Sequence, residues 1–315
     1  MSDRRNLVFA IVLFLAPIVV AWFGLSVPAA AGLVVLLLLI RWAITLSGIV
    51  APERTPELEL AVMAASHYVE KVRWTMDRLG IDYVEKTSAG TLGVWFRGRS
   101  VPQLKARTGI VRSSIGNSSD ILRYLYGRYL HEDPDKFTFL EPTAERVDLE
   151  QRLDVYGRHL QVWVYCHILD ERERCLHAWG VDDPATPGWQ RLVLRVFYPV
   201  LKVMMRYAFK INDTHYVRVV ERIEALLAEL DADLADGRSS LLGGETTNYT
   251  DIAFAAFTGL WLMVPGYGGG KADMVRLERE RAPQSLRDDV ERWRAAYPRA
   301  VTFVERLYET RNKVD

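Results

Sequence analysis

Between Glu57 and Leu125 the chain switches from strand-like to helix-like periodicity and back, and this alternation restricts the fold more than any other stretch. Leu58-Glu59-Leu60-Ala61-Val62-Met63 is a short apolar run of strand character. After Ala64-Ala65-Ser66-His67-Tyr68, the residues Val69, Val72, Met76 and Leu79 recur at helical spacing, and Gly80 follows where a left-handed cap would close the helix. Ile81-Asp82-Tyr83-Val84 then returns to β-prone residues. Two parallel strands need a crossover long enough to hold a helix, so strand, helix, strand reads as a parallel βαβ unit. Val101-Pro102-Gln103-Leu104-Lys105-Ala106 reads as a strand entered through a proline. Gly109-Ile110-Val111 reads as another strand after a tight turn, and Asn117-Ser118-Ser119-Asp120 as the cap of a helix carrying Ile121, Leu122 and Leu125.

Three of these pieces, in this order and spacing, are Ser66-His67-Tyr68-Val69-Glu70-Lys71-Val72-Arg73, Val101-Pro102-Gln103-Leu104 and Asn117-Ser118-Ser119-Asp120-Ile121-Leu122-Arg123-Tyr124-Leu125. Together they resemble the thioredoxin-like N-terminal domain of the glutathione transferase family. The expected fold is an α/β thioredoxin-like domain of βαβββα type over residues 57–130, followed by an all-α helical bundle over residues 143–315. A linker without apolar period, carrying Pro134 and Pro142, separates them. From Thr143 the residues Val147, Leu149, Leu153, Tyr156, Leu160, Trp163 and Val164 predict a helix running to about Trp179. Further helices are predicted at about Trp189 to Phe209, Val217 to Leu234, Tyr249 to Met263 and Leu286 to Thr310. The loop Leu241-Leu242-Gly243-Gly244-Glu245-Thr246-Thr247-Asn248-Tyr249-Thr250-Asp251 resembles the family's entry into its buried helix, with Asn248 as N-cap and Asp251 closing a capping box.

Forty basic and forty acidic residues cancel, which leaves no long-range field to gather nucleic acid and puts that class of partner aside. Cys166 and Cys175 match no metal or redox spacing and read as apolar packing. Ahead of the globular part lie two apolar runs, Leu7 to Leu25 and Ala29 to Val50, the second interrupted at Arg41. Each is long enough as a helix to cross about 30 Å of hydrocarbon, so two transmembrane helices forming a hairpin over residues 1–50 are expected. Arg4 and Arg5 before the hairpin, and Arg41 and Arg54 at its far end, place both ends and the globular domains on the cytoplasmic side. A cleaved signal peptide ending at Ala29-Ala30-Ala31 is the alternative.

The resemblance implies a glutathione site, with glutathione as co-substrate. Ser66 stands where the family places the hydroxyl that contacts the glutathione sulfur, and is the candidate catalytic residue; Tyr68 ranks second. Lowering a thiol pKa from about 8.5 by about two units takes about 2.7 kcal/mol. A charge-assisted hydrogen bond of about 1.5 to 3 kcal/mol and a helix N-terminus of about 0.3 to 1 kcal/mol supply it. A helix-capping serine is the plain alternative for Ser66.

Val101 would offer its backbone to the tripeptide, Pro102 would form the family's cis peptide, and Ser118 would hold the γ-glutamyl carboxylate. Asn117 departs from the family pattern, which favours an acid there to meet the γ-glutamyl ammonium, and His67 departs where a proline is common. With no cysteine before Cys166, thiol-transfer chemistry drops out and conjugation remains.

The function expected is a membrane-anchored glutathione transferase that activates glutathione, or another low-molecular-weight thiol, against hydrophobic electrophiles. The alternative is an inactive transferase-like interaction module of a membrane complex. The bilayer, a homodimer or a membrane-protein partner complete the expected partners. His159, His167 and Asp170 fit one helical face but are too few ligands for a metal site, so none is assigned. Tyr156, Trp163 and Tyr165 read as core residues, some of which would line an apolar pocket.

Overall fold

A computed structural model of the chain describes residues 11–12, 15–16, 18–19, 21–24, 26–49, 55–89, 92, 101–108 and 111–311. The chain divides into two compact units, residues 1–57 with 106–113, and residues 58–105 with 114–315.

In the first unit, helix α1 (Val27–Ile49) is built from Ala, Val and Leu, with Val35, Leu36, Leu38 and Leu39 among its exposed side chains. Among the described residues, no helix is long and apolar enough to cross a membrane. The first expected span, residues 7–25, lies partly outside the described residues, as does Arg54. This corrects the transmembrane hairpin, the membrane localisation and the cytoplasmic placement argued from it.

The sheet comprises β1 (Glu57–Val62), β2 (Val84–Thr87), β3 (Gln103–Thr108) and β4 (Val111–Gly116) in the order β2-β1-β3-β4. β1 and β2 are parallel, in a register that sets Glu59 beside Val84 and Val62 beside Thr87. Leu58, Leu60 and Val62 are buried from one face of β1, as strand alternation requires. The crossover is α2 (His67–Arg78), which buries Val69, Val72 and Met76. Gly80, at φ +56°, ends it: the Ile81 amide donates to the Met76 carbonyl at 3.0 Å, a closure that needs the left-handed residue. The Val101–Pro102 peptide leading into β3 is cis, as expected. Of the expected strand Gly109-Ile110-Val111, the first two residues lie outside the described residues, and β4 continues to Gly116. Asn117 caps α3 (Ser118–Tyr129), accepting from the Ser119 amide.

The remainder is helical. α4 (Ala144–Ile168) begins after Thr143, whose hydroxyl accepts from the Arg146 amide. It is followed by α5 (Arg172–Ala178), α6 (Gly188–Ala208), α7 (Asp213–Asp233), α8 (Tyr249–Leu262), α9 (Gln284–Ala296) and α10 (Pro298–Arg311). A sheet followed by a helical bundle is consistent with the thioredoxin-like plus helical arrangement that the resemblance implies.

Two predicted helices are each a pair. The chain breaks between Ile168 and Arg172, and again at Tyr297, where Pro298 opens a new helix at the position that spares its missing amide. α8 is buried almost all round and packs against α2, α4 and α10. Its capping box of Asn248 and Asp251 is present as expected. Burial pushes the Asp251 carboxyl up, opposed by the amides of Leu241 and Asn248 and the Ser240 hydroxyl, all of which donate to it. α6 carries an apolar outer face, with Trp189, Leu192, Val196, Val203 and Tyr207 exposed.

Candidate functional site

A cavity of about 730 Å³ opens in the second unit where the start of α2, the turn at Val101 and the start of α3 meet the inner side of α4. Ser66, His67, Tyr68, Val101, Asn117 and Ser118 all line it, so the turns singled out in the sequence converge on one space. Its far wall is apolar: Trp163, Tyr165 and Ile168 of α4, Trp179, Met205 of α6, Phe209 and Trp261 of α8. Tyr156 lies instead in the core, accepting from the Trp261 indole at 2.9 Å and bonded to Thr258 at 3.2 Å.

Ser66 precedes α2 in extended backbone, φ −72° and ψ 125°, yet its side chain makes no capping hydrogen bond. Its main-chain carbonyl accepts from Glu70 at 2.9 Å, which starts the helix without the hydroxyl. Tyr68 is differently placed: its hydroxyl donates to the Asp154 carbonyl at 3.0 Å. Burial, then the nearby Asp154 charge, pushes the Tyr68 phenol up, with Arg158 opposing. A phenol committed to a main-chain acceptor is a poor second donor for a ligand.

His67 is 5% exposed. Burial brings its pKa down from 6.5 to about 4, and the Gly157 backbone offsets only part of this. Its Nε2 makes no hydrogen bond among the described residues, and the ring sits edge-on to Phe257 at 5.1 Å and against Tyr68 at 4.4 Å. His67 is therefore a neutral packing group of the cavity wall near neutral pH.

Ser118 opens α3 and is 1% exposed, and its hydroxyl has no hydrogen-bond partner among the described residues. A buried, unpaired hydroxyl is costly unless something else meets it. Beside it, Asn117 adopts φ +69° and ψ 134°, outside the left-handed helical region that asparagine favours and so a strained backbone position.

The polar residues of α4 at this cavity, Asp154, Arg158 and Gln161, were not singled out from the sequence. Their helical spacing was the available signal, but nothing local tells which face of α4 meets the turns. Asp154 accepts from the Ser119 hydroxyl at 3.0 Å and lies 3.5 Å from Lys71 Nζ.

The other candidates lie elsewhere. Cys166 and Cys175 are free thiols, and burial pushes them up to about 11 and about 12. His167 has a buried side chain with Nε2 3.3 Å from Asp289. Asp289 also accepts from Trp163 and Tyr216. Among the described residues no group of three or more acidic, His or Cys side chains is placed to hold a metal ion.

No protein-family model matches the chain, and no curated protein matches it. Among solved structures it is similar to a glutathione S-transferase of Methylobacterium radiotolerans in complex with glutathione sulfonate, at 20% identity and a TM-score of 0.48, covering 80% of this chain and 90% of that one. A glutathione transferase from Streptococcus pneumoniae complexed with glutathione matches at 14% identity and a TM-score of 0.45, covering 82% and 83%. A theta class glutathione S-transferase from the citrus canker pathogen Xanthomonas axonopodis pv. citri with glutathione bound matches at 20% identity and a TM-score of 0.40, covering 78% and 98%.

Proposed function

We propose that this cavity binds glutathione, or a closely related γ-glutamyl thiol, and conjugates it to hydrophobic electrophiles. The observation that carries the reading is the buried Ser118 hydroxyl, unpartnered among the described residues, at the head of α3 in the same cavity as Ser66 and Val101. A carboxylate there would meet that hydroxyl together with the α3 amides, which favour an anion. The Val101 main chain would pair with the peptide backbone, and the thiol would extend toward Ser66. A hydroxyl with no capping bond is available to donate to a thiolate. The aromatic wall of Trp163, Tyr165, Trp179 and Trp261 suits an apolar co-substrate held beside the sulfur, where proximity supplies much of the rate.

The step is a displacement or addition. The thiol proton leaves to solvent and the sulfur lone pair forms the new bond to carbon; either a leaving group departs with its bonding pair, or the electrophile's π bond opens and its electrons move to the neighbouring atom, which takes a proton from solvent. His67, with its pKa near 4, lacks the basicity to hold the thiol proton. Ionisation rests on donors, which is the role given to Ser66.

The second reading, a catalytically inactive transferase-like interaction module, is favoured by Asn117, whose amide carries no charge for a ligand ammonium. Calorimetric titration with glutathione tests the first. Saturable binding is expected, weakened about 10-fold by Ser118→Ala, together with conjugation of an aryl halide. Absence of binding to the intact protein would reject the thiol reading and leave the interaction module; binding without conjugation would keep the thiol site and reject the transferase step.

A further inference from the structure

We infer that Asp154 of α4 supplies the anionic contact for the ligand's α-ammonium group, in place of an acid at position 117. This inference rests on the proposed glutathione site and adds the residue that decides which γ-glutamyl ligands are accepted.

An α-amino-acid end is a zwitterion, so a pocket that holds its carboxylate at Ser118 and the α3 N-terminus must also meet a cation close by. Position 117 offers only an amide. Among the described residues Asp154 is the acid that lines the cavity. It belongs to the same corner, because its Oδ2 accepts from the hydroxyl of Ser119, next to Ser118 in the chain, at 3.0 Å. Its main chain is fixed as well, through the Tyr68 hydroxyl at 3.0 Å. A carboxylate has about four acceptor sites, so the bond from Ser119 leaves capacity for a ligand.

The neighbouring cations do not fully claim this carboxylate. Lys71 Nζ is 2.7 Å from Glu150 and 3.5 Å from Asp154, so its closer partner is Glu150. Arg123 also pairs with Glu150. Lys71 and Arg123 face Glu150 and Asp154, Arg158 also lines the cavity, and a bound zwitterion adds one charge of each sign, so occupancy leaves the net charge of the corner unchanged. An ordinary ion-pair reading, in which Asp154 serves only to hold Ser119 and Lys71, predicts no preference for an amine in the ligand.

The test compares glutathione with its deaminated analogue, γ-glutaryl-cysteinyl-glycine, by calorimetry. The parent should bind glutathione about 10- to 100-fold more tightly than the analogue, the range for one charge-assisted contact. Asp154→Asn should remove that difference by weakening glutathione alone. Equal weakening of both ligands would overturn the inference and leave Asp154 as a wall residue. If Asp154→Asn does not fold, the parent comparison decides: equal affinities for the two ligands would overturn the inference while the thiol site stands. Binding of neither ligand by the parent would remove both readings. Restored amine preference in the double variant Asp154→Asn, Asn117→Asp would support the inference independently.

Discussion

Lys71 of α2 and Glu150 of α4 meet at 2.7 Å, Nζ to Oε1, with both side chains buried. This pair joins the crossover helix of the sheet to the first long helix of the bundle, directly behind the candidate site. Lys71 also donates to the Ser119 hydroxyl at 3.1 Å, which ties α3 to the same point. Burial pushes the Glu150 carboxyl up, but Lys71 and then Arg123 oppose it and leave it below the usual carboxylate range.

Lys71→Met removes the fully buried partner of Glu150 and leaves the part-exposed Arg123 to hold the carboxylate. The variant is expected to lower stability by about 1 to 3 kcal/mol in urea unfolding, the cost of one lost hydrogen bond to a charged group. The double variant Lys71→Met, Glu150→Leu should recover at least half of that loss, since a packed apolar pair is often neutral. A single variant costing under about 1 kcal/mol would show that the pair is solvated in solution.

His67 should give the protein an acid-sensitive stability. Its folded pKa of about 4 lies below the ordinary 6.5. Between those values the unfolded chain binds the extra proton, so stability rises with pH. The contribution is complete above about pH 6.5 and is lost as pH falls toward 4, in total about 3 kcal/mol at most. Melting temperature measured between pH 4 and 7 should fall steadily toward the acid end, and His67→Gln should flatten that slope. An unchanged slope in the variant would assign the acid sensitivity to other groups.

How far the sequence reveals this site depends on whether a residue's role is local. Ser66, Val101, Asn117 and Ser118 are legible because turns and caps are written in adjacent residues. The α8 capping box is legible for the same reason, with Asn248 and Asp251 one helical turn apart. Asp154 is not: it sits on a helix whose apolar residues read as core, and its meaning comes from which face the sheet covers. The surroundings of His167 are hidden on similar grounds, since Asp289 and Tyr216, which cover it, come from distant helices. The helix predicted from Leu286 to Thr310 divides because Pro298 has no amide to donate and opens a helix more readily than it continues one.

Gly157 of α4 allows two wall residues to sit against the helix. A Cβ there would come within 2.9 Å of the Tyr68 hydroxyl and 3.2 Å of His67 Nε2. Both rings are packed between α4 and Phe257, so neither moves freely. Gly157→Ala is expected to lower stability by about 1 to 3 kcal/mol and to weaken ligand binding as the rings shift. Alanine is otherwise the better helix former, so a stability gain of about 1 kcal/mol would mean that the rings yield without cost.

Ser66→Ala separates a thiol-activating hydroxyl from a helix cap. A capping serine replaced by alanine costs about 0.5 to 2 kcal/mol, but the Ser66 side chain makes no capping bond. The variant should therefore melt within about 0.5 kcal/mol of the parent, as expected for a substitution that removes no structural bond. The loss should fall on the reaction instead. One charge-assisted hydrogen bond to the sulfur, about 1.5 to 3 kcal/mol, corresponds to roughly 10- to 150-fold in conjugation rate. Thiol affinity should stay within a few-fold, because Val101, Ser118 and their neighbours make most of the ground-state contacts. Kinetics of aryl halide conjugation alongside glutathione calorimetry measure both quantities. Full activity with a lowered melting point would return Ser66 to the role of a cap and move sulfur activation elsewhere in the cavity.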